Sequence, residues 1–253
     1  MKTCNLFLLR GLVRESEHWG DFIETLQAKM PQANIFTFDI PGVGIYNHKP
    51  SPPSIPKIVE HVRQDYLNIL KNPDYKELPN YIVAISLGGM LTVEWISKNP
   101  YDFKKAVVIN SSLKGFSSLF KRMLPKNYPT LFKIAGAKSV EEKEENTLRM
   151  VCNNMQTFDK TLALWIKIQK KKPVSTYNAA RQIWAAMTYT PTKVKPKTPI
   201  LIINSAKDRL VDPNCSVDIA NKWNLPILTH PEAGHDLSGD APDWLADELS
   251  KWL

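Results

Sequence analysis

Short apolar runs alternate with stretches of helical periodicity along most of the chain. Asn5–Leu9 (NLFLL) predicts a buried strand. Ser16–Lys29 then sets Trp19, Phe22, Ile23 and Leu26 at helical spacing. Asn34–Phe38 predicts a second strand, which runs into the Pro/Gly loop Asp39–Gly44. Ile55–Leu70 predicts an amphipathic helix with Ile58, Val62, Tyr66 and Ile69 on one face. Tyr81–Ile85 predicts a third strand and Gly88–Lys98 a helix directly after it. Ala106–Asn110, Ile200–Asn204 and Ile227–His230 supply three more strands. A helix over Ala241–Leu253 closes the chain, with Trp244, Leu245, Leu249 and Trp252 as its apolar stripe. This alternation predicts an α/β fold with a mostly parallel sheet of about six strands, covered by helices on both faces.

The alternation stops after the fourth strand. Residues 113–197 carry helical patterns, with Leu162, Trp165, Ile166 and Ile168 in one and Ala179 to Met187 in another, and no strand. The stretch is too long for a crossover connection. It predicts a helical lid inserted over one end of the sheet, with residues 1–112 and 198–253 forming the core. The run Glu141–Glu145 (EEKEE) fits the solvated first turn of a lid helix.

Length and composition narrow the class. A chain of 253 residues can bury a core without disulfides or metal staples. No apolar run approaches the roughly 18 residues of a membrane span. Arg10 ends the first apolar run too early for a signal-peptide core. Cys4, Cys152 and Cys215 are widely spaced, without a CxxC pair, and read as reduced thiols of a cytoplasmic protein. The net charge of +8 is unevenly spread. Residues 113–197 hold 17 Lys and Arg against 5 Asp and Glu, a net of +12, which leaves −4 for the rest. Such a basic lid either presents a solvated face or steers an acidic partner or anionic substrate. Nucleic-acid binding is not expected, because no aromatics interleave with the basic residues.

The third strand ends in Ala84-Ile85-Ser86-Leu87-Gly88-Gly89, followed at once by a helix. This is the strand–turn–helix of a nucleophile elbow, G-x-S-x-G, with Ala in the first position. Small residues flank the serine because the backbone turns sharply and strand and helix approach closely. A nucleophilic serine needs a base and the base an orienter. Two later strand ends supply them in the expected chain order. Asp208 stands in Ser205-Ala-Lys-Asp208-Arg-Leu-Val-Asp212-Pro213, and His235 in Pro231-Glu-Ala-Gly234-His235-Asp236. Asp212 is the rival orienter, but its place before Pro213 suits a helix cap. Asp236 follows the base directly and reads as a loop-fixing carboxylate, and Asp39 as a structural turn residue. Ser111 and Ser112 lack a glycine elbow. His48, His61 and His230 lack the Gly-loop context, while His18 lies close enough in sequence to Arg10 for a peripheral role in the pocket.

LLRGL, FDIPGVG, AISLGG, SAKDRLVDP and HPEAGHDL together resemble an α/β-hydrolase of the serine-esterase type. Small bacterial carboxylesterases, including methyl ester carboxylesterases acting on acyl-carrier-protein conjugates, are the group it resembles most. The resemblance implies Ser86 as nucleophile, His235 as base and Asp208 as orienter. It also implies an oxyanion hole made by the N–H groups of Leu12 and Leu87. Arg10 stands where the family carries His before Gly11, and Ala84 replaces the first elbow glycine. Arg10 is read either as a cation favouring anionic esters or as an arginine satisfied by loop carbonyls, Glu15 or Glu17. Ser111, Phe116, Trp165, Trp184 and Met187 are the remaining candidates for the pocket wall. The implied activity is hydrolysis of a small-molecule carboxylic ester, with no metal or organic cofactor. Its alternatives are a thioesterase or acyl-carrier-protein methyl ester hydrolase that docks an acidic carrier, a peptidase, lactonase or carbon–carbon bond hydrolase that shares the machinery, and a non-catalytic binding protein on the same fold.

Overall fold

The structure, a computed structural model, describes residues 2–253. All six strands form one parallel sheet in the order β2-β1-β3-β4-β5-β6. The strands are β1 (Cys4–Leu9), β2 (Ala33–Phe38), β3 (Asn80–Ile85), β4 (Lys105–Ile109), β5 (Ile200–Ser205) and β6 (Ile227–His230). Each lies within a residue or so of its expected place. α1 (Phe22–Lys29) joins β1 to β2, and α2 (Ile55–Ile69) with the short α3 (Pro73–Lys76) returns the chain across β1 to β3. α4 (Leu87–Lys98) joins β3 to β4. α10 (Asn214–Trp223), α11 (Leu237–Asp240) and α12 (Pro242–Trp252) complete the core. The strand order reverses between β1 and β3, and in open parallel sheets ligands bind outside the carboxyl ends at such a switch point.

Alternate strand residues feed two separate layers, as the period of two requires. Phe7 and Leu9 of β1, Ala84 of β3 and Val108 of β4 pack with Ile58, Val62 and Tyr66 of α2 and Trp95 of α4. Leu6 and Leu8, Val83 and Ile85, and Val107 and Ile109 pack on the opposite face against Phe22 and Leu26 of α1 and Leu245 and Leu249 of α12. Each such fully buried aliphatic side chain contributes about 1.5–3 kcal/mol.

The expected helix over Ser16–Lys29 is divided. A 3-10 turn at Ser16–Trp19 ends at Gly20, whose φ of 51° breaks the helical path before α1 begins. Between β4 and β5 the chain forms α5 (Leu119–Arg122), α6 (Tyr128–Ala135), α7 (Val140–Val151), α8 (Phe158–Lys171) and α9 (Thr176–Thr188). The EEKEE run does open a helix, α7, whose start Ser139 caps by accepting from the Glu142 N–H at 3.1 Å, but the run is not solvated throughout: Glu144 is buried and paired with Arg14. Leu148, Val151, Cys152, Phe158 and Trp165 give this helical segment a small core of its own.

Candidate active site

β3 delivers Ser86 to the carboxyl edge of the sheet, and α4 starts at the next residue. Ser86 has φ 58° and ψ −117°, a region that non-glycine residues rarely adopt. Such a conformation costs about 1–3 kcal/mol and persists only where its surroundings enforce it. Here the Ser86 N–H donates to Ile109 O at 2.8 Å, and Ser86 O accepts from the Ser111 hydroxyl at 2.8 Å and the Gly89 N–H at 2.9 Å. Gly88 lets the helix press onto the end of β1, since a Cβ there would lie 2.6 Å from Leu9 O and 2.7 Å from Arg10 O. Ala84 is fully buried in register with Leu9 and Val108, so alanine serves at the first elbow position.

Asp208 and His235 meet in a buried hydrogen bond, Nδ1 to Oδ2, at 2.7 Å. The other Asp208 oxygen accepts the N–H groups of Leu210 (2.8 Å) and Val211 (3.0 Å), which fixes the carboxylate plane. With Nδ1 donating to Asp208, the ring keeps Nε2 as an acceptor. Asp212 instead accepts from the Asn214 N–H at the start of α10, the helix-start role expected for it.

The loop carrying His235 is held by residues that the sequence reading did not single out. Asn110, at φ 46°, donates from Nδ2 to His235 O (2.8 Å), Gly234 O (3.3 Å) and Ser205 Oγ (2.9 Å), while its Oδ1 accepts the Ser205 N–H at 2.8 Å. Asp240 accepts from the Gly234, Asn153 and Asn154 N–H groups. Burial pushes its carboxyl up despite those donors. The one sequence signal for Asn110 was its residue type at a strand end, where asparagine tolerates a left-handed conformation. Its partners are remote in sequence and invisible there.

Arg10 is buried and bound face to face with Asp236, at 3.0 Å and 2.7 Å, with a third bond to Ser238 Oγ at 2.8 Å. Its guanidinium also lies over the Trp19 ring. The carboxylates expected for it, Glu15 and Glu17, pair with Lys172 instead. Burial works against the Asp236 carboxylate, but the adjacent Arg10 charge and hydrogen bonds from Arg10 and Ser238 outweigh it and hold the carboxyl low. Arg10 is therefore a neutralised structural cation rather than a free anion receptor. Downstream, Val13 sits at φ 53°, and its N–H donates to Gln182 Oε1 at 2.9 Å. This buried α9 side chain thereby pins the loop that carries Leu12.

Ser86 opens on two cavities. The larger, about 180 Å³, also touches Leu12, Arg14, Trp165 and His235. The smaller, about 100 Å³, touches Leu12, Leu87, Met90, Ser112, Arg122 and Met187. Arg10, Trp165 and Met187 thus lie on the walls, as expected. Three expected wall residues do not. Ser111 spends its hydroxyl beneath the elbow. Phe116 packs edge-on against Trp223, 4.8 Å between ring centres. Trp184 is 60% exposed, because its place on α9 turns it away from the face carrying Ile183 and Met187 to the cavities. His18 is buried between Arg14 and the Glu15 N–H, outside both walls.

Comparison with known proteins agrees with this architecture. The chain is 22% identical over 164 residues to the phospholipase YtpA of Bacillus subtilis (strain 168), covering 64% of this chain. It spans 60% of the length of that curated relative. Among solved structures it superposes on 2-hydroxy-6-oxo-6-phenylhexa-2,4-dienoate hydrolase from Rhodococcus sp. strain RHA1 with a TM-score of 0.75 and 15% identity, over 98% of this chain and 90% of that one. It matches Rv0554 of Mycobacterium tuberculosis with a TM-score of 0.74 and 18% identity, over 99% and 90%. The latter two likenesses establish the α/β-hydrolase fold. The family model for serine aminopeptidases of the S33 type (Hydrolase_4) matches residues 4–241, and the chain belongs to that family of hydrolases.

Proposed function

We propose that this hydrolase cleaves carboxylic esters through an acyl-enzyme on Ser86. The observation that carries the reading is a serine on a strained turn, at the meeting of two cavities, with His235, buried and bonded to Asp208, on the wall of one of them. Ser86 Oγ attacks the ester carbonyl while His235 Nε2 takes its proton. The N–H groups of Leu12 and Leu87 hold the oxyanion, each donor worth roughly a hundredfold to a thousandfold in rate. The positive end of α4 adds to that stabilisation. His235 then protonates the departing alcohol, and a water activated by the same nitrogen releases the acid. Asp208 keeps the imidazole in the required tautomer. The two cavities give the acyl and alcohol arms separate places, and residues 113–197 act as a lid, supported by Leu131, Ile134, Trp165 and Ile183 on the cavity walls.

Ser86→Ala is expected to abolish fluorophosphonate labelling and to lower ester turnover by about 10⁴-fold or more. Retained turnover in that variant would remove the proposal. The net charge of +12 over residues 113–197 favours one variation, in which the ester or thioester arrives on an acidic acyl carrier. Rising salt would then depress turnover of the carrier-bound ester and spare the free one.

A further inference from the structure

The larger cavity is apolar along most of its wall, with Leu131, Ile134, Met150, Val174 and Ile183, yet it holds several charged groups. Arg10 and Asp236 neutralise one another there. Arg14 reaches it from the loop after β1, only 9% exposed, and bonds Glu144 of α7 through Nη1 at 2.7 Å while lying 3.9 Å over the Trp165 ring. Its Nη2 is buried without a hydrogen-bond partner. Lys143, the residue before Glu144, lines the same cavity, half-buried, with no carboxylate in salt-bridge range among the described residues. Three cations thus face two carboxylates, and both carboxylates are already committed to arginines. The surplus is one positive charge, and two guanidinium nitrogens of the lining arginines, Arg10 Nε and Arg14 Nη2, stand without a partner. A buried polar group of this kind is normally paired with something. Burial pushes the Lys143 ammonium down, opposed in part by the nearby Glu144 carboxylate and helped by the Arg14 charge.

We infer that this end of the cavity is a subsite for a carboxylate carried on one arm of the substrate, bound by Lys143 and Arg14. The inference rests on the esterase reading and narrows it to half-esters of short dicarboxylic acids or esters of short hydroxy acids. Size limits the arm. A cavity of about 150 Å³ accommodates benzene, so this one holds an arm of about seven heavy atoms.

The test uses the full chain and two readouts. In the first, kcat/KM is measured for monomethyl glutarate and methyl butyrate, which carry the anion on the acyl arm or nowhere, and for butyryl esters of 3-hydroxypropionate and of propanol, which do the same on the alcohol arm. One anionic member is expected to exceed its neutral counterpart by about tenfold or more, the range of a charge-assisted contact. The pair that shows it identifies the arm. Lys143→Met, at a position without an ion pair to break, should reduce that ratio several-fold, mainly through KM. Arg14→Gln should do the same where it folds. In the second, calorimetric binding of glutarate to Ser86→Ala should disappear in Ser86→Ala/Lys143→Met. Glutarate binding without turnover of any ester by the native chain would support the subsite and overturn the esterase reading alone. No preference for either anion and no glutarate binding would overturn the subsite.

Discussion

Removing one partner of the Arg10–Asp236 pair should be among the most damaging single changes in this molecule. Both side chains are nearly inaccessible to water, and two parallel N–H···O contacts at 3.0 Å and 2.7 Å join them. Deleting one member leaves the other charge buried and unpaired, which costs about 3–5 kcal/mol. Whole-domain stability is about 5–15 kcal/mol, so either Arg10→Met or Asp236→Leu should consume a large part of it. The double variant should lose much less than the sum, because it strands no charge. The assay is urea unfolding of all four proteins, read as a double-mutant cycle. A coupling of at least about 2 kcal/mol is expected. Losses that add to within about 0.5 kcal/mol would refute the claim that the two charges stabilise one another. Acid supplies a second check. The folded Asp236 carboxyl is held below its ordinary range. Its contribution is therefore present above the unfolded carboxylate pKa and is lost as pH falls through the lower folded value. The advantage of the native chain over Asp236→Leu should shrink in that acid window.

Three further outcomes follow from particular contacts. Gly88→Ala would place a methyl 2.6–2.7 Å from two backbone carbonyls that cannot rotate away, so it should destabilise by about 1–3 kcal/mol and slow fluorophosphonate labelling of Ser86 about a hundredfold. His18 is buried and held neutral, its pKa pushed well below the usual value by burial first and then by the Arg14 and Arg10 charges. The unfolded chain gains a proton below about pH 6.5 that the folded chain refuses, so this site should cost about 1.4 kcal/mol per pH unit below that point. Urea unfolding at pH 7.5, 6.5 and 5.5 should show the slope in the native chain and its reduction in His18→Gln. Asn110→Gly keeps the backbone free to hold φ 46° but deletes the bonds to His235 O and Ser205. Asn110→Ala adds left-handed strain of about 1–2 kcal/mol, and the difference in their unfolding midpoints should report that strain.

The sheet was legible in the sequence because buried parallel strands leave continuous apolar runs, as β1, β3, β4 and β5 do, while the part-exposed edge strands β2 and β6 leave shorter, mixed ones. The elbow was legible because its chemistry demands small residues within a few positions of Ser86. Asp208 and His235 were legible through their places after β5 and β6. What stayed hidden are contacts between remote segments. Asn110 looked like the polar end of AVVIN, and only the fold brings it to the carbonyl of His235. Arg10 was matched with carboxylates near in sequence, Glu15 and Glu17, whereas its partner stands 226 positions away. Periodicity gave Ser16–Lys29 as one helix because Gly20 can sit inside a helical pattern. Its positive φ is set by the tertiary path.

The helices between β4 and β5 are not a loose flap. The α7–α8 junction is tied to the carboxyl edge of the sheet by Val151 O, which accepts the Asp236 N–H, by Asp240, and by Arg209, which donates to the carbonyls of Arg149 and Cys152. The turn before α6 is tied to the Asp208 loop by Asn127, which donates to Arg209 O. α9 is tied to the loop after β2 by Asn178, which accepts the Ser51 N–H and donates to Lys49 O. The same helix reaches Val13 through Gln182. Each insert helix that lines a cavity is thus fastened close to a core loop that also positions Ser86, Leu12 or His235. Displacing one of them would break bonds that hold the site itself. The cavity walls and the carboxyl edge of the sheet therefore form one mechanical unit, and differences between bound molecules have to be read by the lining side chains, with Arg14, Lys143 and the Nε of Arg10 as the charged groups not fully answered from within.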